Sequence, residues 1–122
     1  MILPDSTIWV DHFRTGLDAV GRLASQADIL MHPFVLTEIA LGSLPNRQLT
    51  LRFLRRLMPA IVVRQEEVDT LIEEAQLHST GIGFVDAHLL ASARMMNYRL
   101  WSRDGRLHQN AMRLGIGYAP PA

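Results

Sequence analysis

The sequence contains no cysteine and no lysine, and none of its apolar runs approaches the roughly 20 residues that a membrane-spanning helix needs. Each absence excludes something. Without cysteine there are no disulfides and no thiolate metal ligands, which fits a cytoplasmic protein with no membrane anchor. Without lysine, every mechanism that depends on a lysine amine is closed. The N-terminal stretch lacks a positively charged region followed by an apolar one with a small-residue cleavage site, so secretion is not expected. Net charge is also missing: 12 basic and 12 acidic side chains cancel, so no overall field draws the chain to nucleic acid. All 12 basic residues are arginine, a choice that suits bidentate phosphate contacts and that a GC-rich coding sequence also produces.

What is present is an ordinary globular composition. At 122 residues, 48% hydrophobic and 20% charged, the chain is expected to form one domain over 1–122 with a core of its own. Ile2-Leu3 is an apolar run that stops at Asp5-Ser6-Thr7, any of which can cap a helix carrying Ile8, Trp9, Val10 and Phe13. Gly16 marks a break, and Leu17 to Ala27 has helical spacing. Ile29-Leu30-Met31 reads as a buried strand, followed by a helix that starts at Pro33 and stops near Gly42. After Pro45-Asn46, Leu51, Leu54, Leu57 and Met58 form an apolar stripe beside a basic one of Arg47, Arg52, Arg55 and Arg56, and Pro59 closes that helix.

The β-branched run Ile61-Val62-Val63 predicts a third strand, and Gln65 to His78 a regular amphipathic helix. A loop over Thr80 to Gly83 leads into a helix from Phe84 to Asn97. Arg99 to Ser102 predicts a strand, Leu107 to Leu114 the last helix, and Gly115 to Tyr118 a final edge strand. Strands alternating with helices predict an α/β fold with a mainly parallel central sheet covered on both faces.

Most acids have a plain explanation as solvated faces, notably Glu66, Glu67, Glu73 and Glu74. Four do not. Glu38 has Phe34 and Val35 one turn before it and Leu41 one turn after; Asp86 has Leu89, Leu90 and Ala93 on its side of the helix. Asp5 and Asp104 each follow an apolar strand, and in a parallel sheet both strand ends emerge at the same edge. Carboxylates gathered in a partly buried site raise one another's pKa unless a cation offsets the charge. Oxygen donors without cysteine or paired-histidine spacing suit Mg²⁺ or Mn²⁺ rather than zinc. The plain alternative is that Asp5 and Asp104 are helix N-caps and that Glu38 and Asp86 pair with arginine. An acid-held divalent ion can activate water against a phosphodiester, with the hydroxyls of Ser6, Thr7 and Ser102 available to position water or phosphate.

Asp5-Ser6-Thr7 with Trp9, Leu36-Thr37-Glu38-Ile39-Ala40-Leu41-Gly42, Gly83 to Ala93 around Asp86, and Trp101-Ser102-Arg103-Asp104 resemble the four acidic motifs of PIN-domain nucleases. The pattern is most similar to the VapC toxins of toxin–antitoxin pairs and spans nearly the whole chain. The resemblance implies a three-layer α/β/α fold, a Mg²⁺- or Mn²⁺-dependent endoribonuclease acting on RNA such as tRNA or rRNA, a homodimer, and a VapB-type antitoxin whose C-terminal segment blocks a groove. It also implies that Asp5 and Asp86 are the main metal ligands, that Glu38 and Asp104 complete the pocket, and that Asp104 acts through water or a second ion. Two positions depart from the family pattern. Pro4 removes a ladder donor from a central strand, so that strand should be short, and only His108 and Asn110 are near enough to extend a second metal site.

The five histidines, His12, His32, His78, His88 and His108, show no ligand spacing and receive no role. The arginine stripe reads as a solvated face or as a contact with phosphate or a partner, and Trp9 as core or as partner surface. A phosphorelay receiver would also gather acids around Mg²⁺ but normally needs a lysine. A structure-specific DNA nuclease of the same superfamily and a non-catalytic α/β module remain as alternative readings.

Overall fold

The computed structural model describes residues 1–121. Four short strands, β1 (Ile2–Pro4), β2 (Leu30–Met31), β3 (Met58–Pro59) and β4 (Arg99–Trp101), alternate with seven helices. These are α1 (Ser6–Thr15), α2 (Asp18–Ser25), α3 (Pro33–Ala40), α4 (Arg47–Arg56), α5 (Gln65–Glu74), α6 (Phe84–Met96) and α7 (Gly105–Arg113). All strand pairings are parallel: β1 lies on β4 with Leu3 opposite Leu100, and β2 lies on β3 with Leu30 opposite Met58. A single bridge, Ile2 to Ile29, joins the two pairs in the order β3-β2-β1-β4. Consecutive strand residues point to opposite faces, yet Ile2, Leu3, Pro4, Leu30 and Met31 are all buried, so both faces of this parallel sheet are covered. The core is one cluster with Leu3, Trp9, Leu30, Leu89, Leu90 and Leu100 at its centre, which assigns Trp9 to the interior rather than to a partner surface.

Pro4 explains why the sheet is held together so narrowly. The Ile2 N–H donates to Asp28 on the β2 side, whereas the Asp5 N–H donates to the Trp101 carbonyl on the β4 side. Alternation along the strand therefore turns position 4 toward β2, where proline has no hydrogen to give. Pairing between β1 and β2 does not extend past Ile2, and β1 is correspondingly short.

The third strand differs from the sequence expectation. It is formed by Met58–Pro59, and Ile61 and Val62 lie outside it with 49% and 43% of their surface exposed. Proline disfavours helical conformation in the residue before it, so α4 ends at Arg56 and Met58 is already extended. An edge strand tolerates the missing donor. Ile61 instead bonds outside the ladder, its N–H donating to the Tyr98 hydroxyl at 3.3 Å and its carbonyl accepting from Ser92 Oγ at 2.6 Å. The expected strand over Gly115 to Tyr118 is reduced to one bridge between Leu100 and Gly117, and α5 stops at Glu74 rather than His78.

Candidate carboxylate site at the sheet edge

The C-terminal ends of β1 and β4 lie side by side, and each is followed at once by an acid that starts a helix. Asp5 caps α1: its Oδ1 accepts from the Thr7 N–H at 3.0 Å, from the Ile8 N–H at 3.4 Å and from the Thr7 hydroxyl. Its Oδ2 accepts from the hydroxyl of Ser102, 97 residues away in the chain. The carboxylate is thus oriented from four directions while only 3% of the residue is exposed. Burial raises its pKa, and the hydrogen bonds from Ser102, Thr7 and Ile8 only partly oppose this.

The same hydroxyls tie the two strand ends together. Ser102 Oγ accepts from the Asp104 N–H at 3.0 Å, and Thr7 Oγ1 accepts from the Arg103 N–H at 2.9 Å. Each hydroxyl gives its hydrogen to Asp5 and receives one from the loop after β4, across the strand ends for Thr7 and within its own loop for Ser102. Asp104 caps α7, accepting from the Arg106 and Leu107 N–H groups at 2.9 and 3.2 Å. The N-cap reading of Asp5 and Asp104 is thus correct as far as it goes, and for both residues it coexists with a place in the acidic cluster.

Asp86 lies in the first turn of α6, where the nearby Gly83 backbone partly opposes a rise in its pKa. Burial raises its pKa first, and the charges of Asp5 and Asp104 raise it further. Glu38, halfway along α3, is raised by burial, then by Asp86 and by Asp5, while a hydrogen bond from Ser6 opposes the shift. Through the effects of Asp86 and Asp5 on Glu38, and of Asp5 and Asp104 on Asp86, the four sequence-predicted acids lie in one electrostatic neighbourhood. The arginine pairing allowed for Glu38 and Asp86 does not occur among the described residues. Arg103 pairs instead with Asp11 at 3.3 Å.

An all-oxygen set of acids with no cationic partner among the described residues suits a hard divalent ion by donor chemistry. As the side chains stand, no three His, Asp or Glu donors among the described residues converge into a ligand set. Asp5 and Asp104 are fixed by their caps, so closure would fall to Glu38 and Asp86. Asn110 adds nothing to it: its amide is taken by Thr80 and Arg106, and its carbonyl by Arg113.

Sequence reasoning gave no role to His32, which is fully buried; its Nδ1 accepts from the Phe34 N–H at 3.0 Å and so caps α3. Burial, then the neighbouring His88, lowers its pKa to about 4. The only sequence signal is its place before Pro33, the first residue of a helix. Arg47 is likewise structural, donating to the carbonyls of Ala40 and Gly42 at the end of α3. A groove of about 550 Å³ opens beside Ser6 and Glu38 and is walled by Val10, Phe13, Ile39 and Leu44. No helix among the described residues is long and apolar enough to cross a membrane.

Comparison with known proteins agrees with this arrangement. The PIN domain family model matches residues 2–112. Two curated relatives, both called Ribonuclease VapC32 and from two strains of Mycobacterium tuberculosis, are 36% identical over 120 residues, covering 98% of this chain and 97% of each relative. With the α/β fold and the four acids in family order, the chain belongs to the PIN-domain family, among its VapC-type toxins.

Proposed function

We propose that residues 1–122 act as a single nuclease domain, the toxin of a type II VapBC pair, hydrolysing RNA at a divalent-metal site. The observation that carries this reading is the gathering of four carboxylates with no cationic partner among the described residues, three with pKa values raised by burial, Glu38 further by Asp86 and Asp5, and Asp86 further by Asp5 and Asp104. The names of the relatives, both ribonucleases, support RNA as the substrate.

Asp5 and Asp86 would hold Mg²⁺ or Mn²⁺, with Asp104 contributing through water or a second ion and Glu38 completing the pocket. Once bound, the ion would supply an activated water and neutralise charge on the phosphodiester. Thr7 and Ser102 fix Asp5 in the orientation that ligation needs, each through a hydroxyl already committed to that carboxylate. Each retains acceptor capacity that can hold a water hydrogen. Ser6 positions Glu38 to accept a proton or orient water. The groove beside Glu38, apolar along its walls and acidic at one end, suits the C-terminal segment of an antitoxin bearing apolar side chains and a cation. A homodimer in the cytoplasm completes the reading.

The test is incubation of purified protein with mixed tRNA and rRNA, with Mg²⁺ or Mn²⁺ or with EDTA, beside Asp86→Asn. Cuts at discrete positions that need both the ion and Asp86 are expected. Cleavage that survives EDTA or the substitution would overturn the reading.

A further inference from the structure

Two aromatic rings meet between the acid-bearing helices. Phe84, the first residue of α6, and Phe34, in the first turn of α3, stack with centroids 6.0 Å apart and planes 19° from parallel. Phe34 is buttressed by the edges of His32 and His88 at 5.0 and 4.9 Å, and both histidines are buried. His88 also braces Phe84 at 4.8 Å. The inner ring is therefore held on several sides, while Phe84 keeps 65% of its surface in solvent.

Position ties the rings to the carboxylates. Phe34 and Glu38 lie one turn apart on the same face of α3, and Phe84, stacked on Phe34, opens the helix whose first turn carries Asp86 on another face. We propose that Phe84, stacked on Phe34, is the platform on which an unpaired RNA base beside the scissile phosphate stacks; this rests on the ribonuclease reading above. Every base has a π-face, so such a platform holds single-stranded RNA without dictating its sequence. A second copy of the chain fits less well. Two rings cover no more than about 400 Å², one of them already half-buried, whereas a stable interface takes about 800 Å² from each partner. The rings are also bordered by exposed Thr37, Glu38 and Gln65.

The test uses single-stranded oligoribonucleotides carrying 2-aminopurine at successive positions, bound to Asp86→Asn protein so that the strand stays intact. Stacking on Phe84 should quench the probe at one or two positions. Phe84→Ala and Phe84→Leu in the same background should abolish the quench, Phe84→Trp should restore it, and loss of the ring should weaken binding about 10-fold. With Asp86 present, Phe84→Ala should raise KM for cleavage more than it lowers kcat. Wild-type cleavage with an unaltered KM in Phe84→Ala would overturn the platform alone. So would a change of oligomeric state in Phe84→Ala by light scattering, which would assign the ring to a second copy. A Phe84-dependent quench with no wild-type cleavage of any RNA would instead overturn the ribonuclease reading and leave the platform standing.

Discussion

The molecule has two acidic surfaces, and they behave as opposites. On α5, Glu66, Glu73 and Glu74 stand in water, Glu67 has Arg64 at 3.5 Å, and Gln65 donates to Asp69 at 2.8 Å. Each charge is hydrated or has a local partner, so the helix carries its acids at little cost. At the sheet edge, four carboxylates from four separate parts of the chain share one electrostatic neighbourhood, and none of them pairs with arginine among the described residues. The number of acids is similar and the free energy is not. Burial raises the pKa values of Asp5, Glu38 and Asp86, and repulsion raises the last two further, a cost that a cation would offset under the proposed function.

The largest effect that separates the two surfaces should be on activity. Asp86→Asn is expected to lower RNA cleavage by on the order of 10²–10³-fold with the fold retained by circular dichroism, whereas Glu73→Gln should leave the rate alone. Equal losses would erase the distinction. Next in size is Ser102→Ala, which deprives buried Asp5 of one donor and the Asp104 N–H of its acceptor. Chemical denaturation should register a loss of roughly 1–3 kcal/mol, and cleavage should fall with it.

Smaller, and opposite in sign, is the effect of Asp86→Asn on stability. Burial and the charges of Asp5 and Asp104 raise the folded-state pKa of Asp86 above its ordinary 3.8, so the folded chain retains a proton that the unfolded chain has released. The contribution of this carboxylate to stability is therefore full below pH about 4 and falls as pH rises through the folded value. Asp86→Asn should raise Tm by a few degrees at pH 7, and the gain should disappear toward pH 4. Millimolar Mn²⁺ should raise the Tm of the wild type and not that of Asp86→Asn, since an ion that binds only the folded site stabilises it by mass action. The smallest expected effect is that of Ile61→Thr, outside the sheet and half-exposed, which should stay within about 0.5 kcal/mol.

The sequence made the site more legible than the sheet. The four acids could be found because each breaks a local rule: Glu38 and Asp86 lie on apolar helix faces, and Asp5 and Asp104 end apolar strands. Parallel topology placed Asp5 and Asp104 at one edge, while Glu38 and Asp86 were added from their apolar helix faces and the family resemblance. The third strand was not legible, because Ile61-Val62-Val63 has the stronger β-propensity and Met58-Pro59 looks like a helix end. Edge position and the β2 partner decided the matter, and neither is a local property. Nor could sequence reveal that Ser102 reaches Asp5, a hydrogen bond spanning 97 residues, or that His32 would serve as a helix cap inside the core.

The most direct test of the central claim is calorimetric titration of Mn²⁺ into the wild type, Asp86→Asn and Glu73→Gln at neutral pH. Saturable binding by the wild type and by Glu73→Gln, lost in Asp86→Asn, is the result expected if the sheet-edge acids form the cation site. Binding that is unchanged in Asp86→Asn, or is lost in Glu73→Gln, would contradict it.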